Sequence, residues 1–166
     1  MGFYPAVATV GNVPVPLPVV DGGTGVTWGS PITQFSGSVA SDVEVATETA
    51  VLTTPNLAVG TWLIMAGLMC QQETASTANN WSCRVNGGTA TYTVTGGNGS
   101  AQQRGPNNGT ANLQVVTMNL SFTVNVTVAG TVVITAYGDA GTPYIKAATP
   151  QQGYANASGY TALRVA

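Results

Sequence analysis

The sequence predicts an all-β fold. Period-two alternation of apolar and polar residues runs through the chain from Asp42 onward, and glycine- and proline-rich punctuation separates the alternating runs. No stretch carries a sustained 3.6-residue apolar period with helix caps, so helix content is expected to be low. Roughly eight short strands joined by turns indicate an antiparallel sandwich or jelly roll.

The first 41 residues differ in composition from the rest. Five of the nine prolines (Pro5, Pro14, Pro16, Pro18 and Pro31) fall in the first 31 residues, and Asp21 is the only charge before Asp42. Proline fixes φ and removes a backbone donor, so "VPVPLPVV" is expected to be extended and excluded from any central strand. Being apolar as well, Pro14, Val15, Pro16, Leu17 and Pro18 are expected to lie along another surface, and residues 1–41 read as an anchoring arm ahead of a domain spanning 42–166. Within the arm, "VVDGGTGVTW" places Gly22, Gly23 and Gly25 around one carboxylate. It lacks the Gly-x-Gly-x-x-Gly spacing, the lysine and the following helix of a phosphate cradle. Glycine permits positive φ and close chain approach, which suits a mechanical joint.

The strands follow in order. "GTWLIMAGLMC" is apolar on both faces: Trp62, Ile64, Ala66 and Leu68 alternate with Leu63, Met65, Gly67 and Met69. Such a strand is expected to be covered on both sides, by another sheet's edge, the arm or a neighbouring subunit. "TATYTVT" at 89–95 turns Ala90, Tyr92 and Val94 inward, and "NLSFTVNVTV" does the same with Leu120, Phe122, Val124, Val126 and Val128. Long polar loops are expected at 73–80, 96–110 and 139–158.

Composition narrows the chemistry. Only 6% of the 166 residues are charged, against about 25% in ordinary soluble domains, and the net charge is −2 without a basic cluster. Nucleic acid is therefore not an expected partner. The longest apolar run, at 57–70, falls short of the roughly 20 residues a membrane helix needs, and "MGFYPAVATV" has no positive n-region, so no membrane partner is expected. The low charge points instead to an obligate assembly that hides apolar surface. There is no histidine, which removes Ser-His-Asp and Cys-His catalysis and the commonest metal ligand. The six carboxylates show no local cue that sets two of them across a cleft. No enzyme activity, cofactor or metal is expected.

Some residues keep two readings. Asp42, Glu44 and Glu48 share strand parity, so threefold repetition would gather them around a cation, or they form a solvated edge. Cys70 and Cys83 are symmetric about the 73–80 loop. A hairpin there would set them opposite one another, as a disulfide or as two buried thiols. Trp81, Tyr144 and Tyr154 fall in or beside loops, where aromatic rings either stack on a ligand such as a glycan or fill small satellite cores.

Residues 42–166 resemble the trimeric tumour-necrosis-factor-like jelly rolls, related to the complement-type globular heads, of bacteriophage virion proteins. The resemblance is carried by "AVLTTPNLAVGTWLIMAG", "VAGTVVITAYGD" and the terminal "ASGYTALRVA". "DGGTG" is similar to the Gly-Gly-Thr-Gly linkers of phage fibre and tail proteins, which pass between an attachment segment and a fibre module. The resemblance implies a homotrimer packed about its axis, with Trp62, Leu63, Ile64, Met65 and Leu68 as trimer-core candidates. It implies a virion structural protein, a head decoration or short head fibre, held to a capsid or tail protein of the same particle by residues 1–41. A tail-tip protein that binds a host-surface glycan is the alternative, and a tail-associated polysaccharide depolymerase the third.

Overall fold

The computed structural model describes residues 9–10, 13–14, 33–72, 80–104, 114–147 and 158–166. Among them the chain is all β, in thirteen strands: β1 (Thr9–Val10), β2 (Val13–Pro14), β3 (Gln34–Ser38), β4 (Val43–Glu44), β5 (Thr49–Thr53), β6 (Gly60–Gln72), β7 (Asn80–Val85), β8 (Thr91–Asn98), β9 (Ser100–Arg104), β10 (Gln114–Val128), β11 (Val133–Gly138), β12 (Pro143–Ile145) and β13 (Gly159–Arg164). Every pairing is antiparallel. No helix among the described residues is long and apolar enough to cross a membrane.

Two sheets share the core. The larger has the order β3-β13-β6-β10-β8, with β12 joining the far end of β6 and carrying β4; the smaller has the order β5-β11-β7-β9. The long β6–β10 ladder sets the core by alternation. Its inward register pairs are Trp62↔Val124, Ile64↔Phe122, Ala66↔Leu120, Leu68↔Met118 and Cys70↔Val116, and all ten side chains are buried. Opposite them, the smaller sheet contributes Leu52, Trp81, Cys83, Ile134 and Ala136. A one-residue slip of either strand would move its whole apolar set to the outside, which is why this register is specified. Trp62 illustrates how the polar atom of a buried aromatic is satisfied: its Nε1–H donates to the Ala58 carbonyl at 2.9 Å.

The chain passes from one sheet to the other at Gly99, between β8 on β10 and β9 on β7. Just before it, Gly97 sits at φ +75° beside a register shift in the β8–β10 ladder, and a side chain there would run into the Ser121 carbonyl. Only glycine accepts both the left-handed backbone and the close approach.

Several expectations are corrected. β3 lies inside the residues assigned to the arm, yet it pairs with β13 from Gly159↔Ser38 to Leu163↔Gln34. The boundary expected after residue 41 therefore falls on the wrong side of this strand. The segments read as loops at 96–110 and 139–158 contain the end of β8, all of β9, and β12. Val94 and Val128, expected inward, are exposed, because β8 is an edge strand and Val128 is the last residue of β10.

Candidate functional site

The outer face of the larger sheet has an unusual composition. Reading across the strands, Ser38, Gly159, Gly67 and Asn119 form one row, Ser36, Thr161, Met65 and Ser121 the next, and Gln34, Leu163, Leu63 and Thr123 a third. No Asp, Glu, Lys or Arg projects from this face in β3, β13, β6, β10 or β8; Glu44 stands on the β4–β12 flank, in register with Tyr144. Leu63, Met69 and Leu163 are half-buried and Met65 is 40% exposed. Beside Met65, the paired glycines Gly67 and Gly159 leave a shallow hollow of about 620 Å³, bordered also by Ser36, Ser38 and Thr161.

This divides the trimer-core candidates. Trp62, Ile64 and Leu68 point into the sandwich of their own chain and are fully buried there. They are corrected from interface to core. Leu63 and Met65 occupy the opposite face and remain open to a partner. The doubly apolar pattern of β6 thus has two causes: one face meets the smaller sheet, and the other carries the uncharged outer surface.

The aromatic candidates separate in the same way. Trp81 is 1% exposed and belongs to the core, which corrects its reading as a surface ring. Gly138, its register partner across β11, makes the space: a Cβ there would meet the indole at 3.1 Å and Pro143 at 2.6 Å. Tyr144 is half-buried with the Lys146 ammonium 5.6 Å from its ring centroid, so its face is already engaged by a cation. Tyr154 lies outside the described residues, as do Val15, Pro16, Leu17, Pro18, Gly22, Gly23 and Gly25; of the arm residues named, Pro14 is described, in β2.

Cys70 and Cys83 are free thiols, not a disulfide. The strands on either side of residues 73–79 do not form a hairpin: β6 belongs to the larger sheet and β7 to the smaller, so the symmetry of the two cysteines about the loop does not make them register partners. Both are buried, and desolvation pushes the Cys83 thiol up to about 11 and the Cys70 thiol further still, with the neighbouring Cys83 adding to the latter.

Nor do the three carboxylates gather within the chain. Asp42 forms an ion pair with Lys146, which is nearly buried, and accepts the Ala147 N–H at 2.8 Å. Glu48 faces outward from the smaller sheet, where it accepts from Arg84 through both carboxylate oxygens, from Asn86 Nδ2 at 2.8 Å and from the Thr135 hydroxyl at 2.7 Å. These hydrogen bonds, Arg84's foremost, hold its carboxyl at about 2, below the ordinary 4.5. No cluster of three or more His, Cys, Asp or Glu suited to a metal occurs among the described residues.

The Glu48 network was not legible in the sequence. Its members come from three separate segments, and only the fold brings Arg84, Asn86 and Thr135 to one carboxylate. No protein-family model matches the chain, and no curated protein matches it.

Proposed function

We propose that the chain is a non-enzymatic structural protein of a bacteriophage virion: a trimeric head decoration or short head fibre, held to the particle by its N-terminal arm and presenting a jelly-roll head. The strand pairing supports the jelly-roll part. Setting aside the separate β1–β2 pair, taking β8 and β9 as one strand that changes sheets, and β4 and β12 as a flank, the first strand pairs with the last (β3–β13), the second with the next to last (β5–β11), then β6 with β10 and β7 with β9. Such nested pairing is what a long hairpin produces when it rolls into two sheets.

The observation that carries the assembly is the charge-free outer face of β3, β13, β6, β10 and β8. Ions taken out of water at an interface cost several kcal/mol each, at an order-of-magnitude level, unless well paired, and this face offers none to desolvate. A ring of three uses heterologous contacts, in which a projection on one copy meets a different patch on the next. Met65 supplies a projection, and the hollow over Gly67 and Gly159 supplies a recess.

The test has two parts. In sedimentation velocity the full chain is expected to run as a trimer, and Met65→Glu, at a position already exposed, is expected to run as a monomer with an unchanged far-UV spectrum. A monomeric parent protein would end the assembly reading. A gold label on Ala166, applied to particles from a lysate, is expected over the head; label at the tail would favour the receptor-binding alternative, and particles without label would remove the virion reading.

A further inference from the structure

The outer face of the smaller sheet differs in chemistry from that of the larger. Register places Thr135, Arg84 and Ser100 in one row across β11, β7 and β9, and Tyr137, Ser82 and Gln102 in the next. Over these rows lies a groove of about 290 Å³, with Glu48 at its border. Tyr137, 37% exposed, is the aromatic ring among its lining residues.

Four features constrain what such a groove holds. Its lining mixes hydroxyl, amide and guanidinium groups with about as much apolar surface, which suits an amphipathic ligand better than a wholly apolar lipid. Its charges cancel, because the Arg84 guanidinium is forked onto the Glu48 carboxylate one to one, so neither an anion nor a cation finds an uncompensated partner. Part of its polar lining is fixed before any ligand arrives: Glu48 accepts from Arg84, Asn86 and Thr135, and the remaining residues stand on adjacent strands. That lowers the ordering cost of binding. Lastly, two of the five guanidinium N–H donors are spent on Glu48, and Ser82, Ser100 and Gln102 line the same groove. A ring bearing several hydroxyls and one apolar C–H face matches this mixture of donors, acceptors and aromatic surface.

We propose that this groove is a binding site for a neutral saccharide, taking one or two pyranose rings at the end of a surface glycan. The volume lies at the small end of ligand pockets, which run from about 300 Å³ upward, and so limits the site to a short terminal unit. Tyr137 supplies the stacking face, Gln102 and Arg84 the directional hydrogen bonds, and Ser82 the low floor that lets a ring approach. The site is built within one chain and does not depend on the trimer.

The full-length protein is titrated by saturation-transfer NMR with neutral disaccharides of glucose, galactose, mannose and N-acetylglucosamine, each to about 10 mM, a range that captures millimolar affinities. Sialyllactose and a sulfated disaccharide serve as charged probes. At least one neutral disaccharide is expected to bind. Tyr137→Ala and Gln102→Ala are each expected to weaken it about tenfold, the loss of one good contact. Ser82→Tyr, which fills the floor, is expected to abolish binding. The proposal is overturned if no neutral disaccharide binds, if only the charged probes bind, or if binding survives Tyr137→Ala unchanged. Because Tyr137 is exposed, that variant reads the site without disturbing the fold. Sedimentation run alongside separates a failure here from a failure of assembly.

Discussion

Replacing Phe35 by alanine tests whether β3 belongs to the cooperative unit of the two packed sheets. The Phe35 ring stacks on Trp62 with centroids 5.6 Å apart and planes 22° from parallel, and Trp62 is fully buried. Truncating a fully buried phenylalanine costs about 3–5 kcal/mol, and Phe35 is half-buried, so about 2 kcal/mol is expected. The aromatic pair accounts for about 0.5–1.5 kcal/mol of that. For a cooperative unit of this size the melting temperature falls by about 4 °C per kcal/mol, giving a drop of about 8 °C. Urea unfolding followed by tryptophan fluorescence measures the free-energy loss and a thermal melt the temperature shift, both at one fixed protein concentration because association would shift the midpoint. A cycle with Trp62→Leu isolates the ring pair, and Gln34→Ala, an exposed neighbour on the same strand, is the control, expected within about 0.5 kcal/mol of the parent. A Phe35→Ala protein that unfolds at the parent's midpoint with the parent's slope would show that β3 does not share the transition of the two packed sheets.

Further expectations follow from the polar contacts. Glu48 has its folded pKa depressed to about 2 from 4.5, so the stability its network confers is complete above pH 4.5 and is lost as pH falls through about 2. Urea midpoints of the parent and Glu48→Gln should converge across that window, and parallel acid profiles would refute the assignment. Asp42→Ala leaves the Lys146 ammonium, only 8% exposed, without its carboxylate, at an expected cost of about 2–4 kcal/mol in thermal unfolding. The double variant with Lys146→Met should recover most of it, and a double variant as unstable as Asp42→Ala would mean that the backbone bond to Ala147 carries the effect. The native protein should resist an aromatic disulfide reagent at neutral pH, and both cysteines should react after unfolding in guanidinium without reductant. Failure to titrate two thiols would indicate a bridge.

What the sequence disclosed, and what it withheld, follows from the range of the interactions. The alternation of β10 was readable because Leu120, Phe122, Val124 and Val126 all face the core, and a period of two is a local property. The two apolar faces of β6 were equally visible, but nothing local says which face meets the chain's own second sheet. That depends on pairing with β10 and β13, far away in the sequence. β9 was missed because "SAQQR" is an edge strand with exposed polar side chains and hence little apolar pattern. The hairpin expected around Cys70 and Cys83 failed for a related reason: consecutive strands here change sheets instead of pairing. Glu48 shared parity with Asp42 on paper, yet each carboxylate is claimed by a different basic residue from a distant segment.

The antiparallel pairing of the first and last strands of the larger sheet gives the sandwich two distinct ends. Leu163 is opposite Gln34, and Ala166 exchanges backbone hydrogen bonds with Thr61, so the carboxyl terminus lies at the end of the sheet where β3 and β6 start. From that level β6 runs its 13 residues to Gln72, about 40 Å at the rise of an extended strand, where it meets the start of β10 at Gln114. A peptide inserted beside Gln72 and one fused after Ala166 therefore stand at opposite ends of the larger sheet. Two labels on one molecule would then read out its polarity directly.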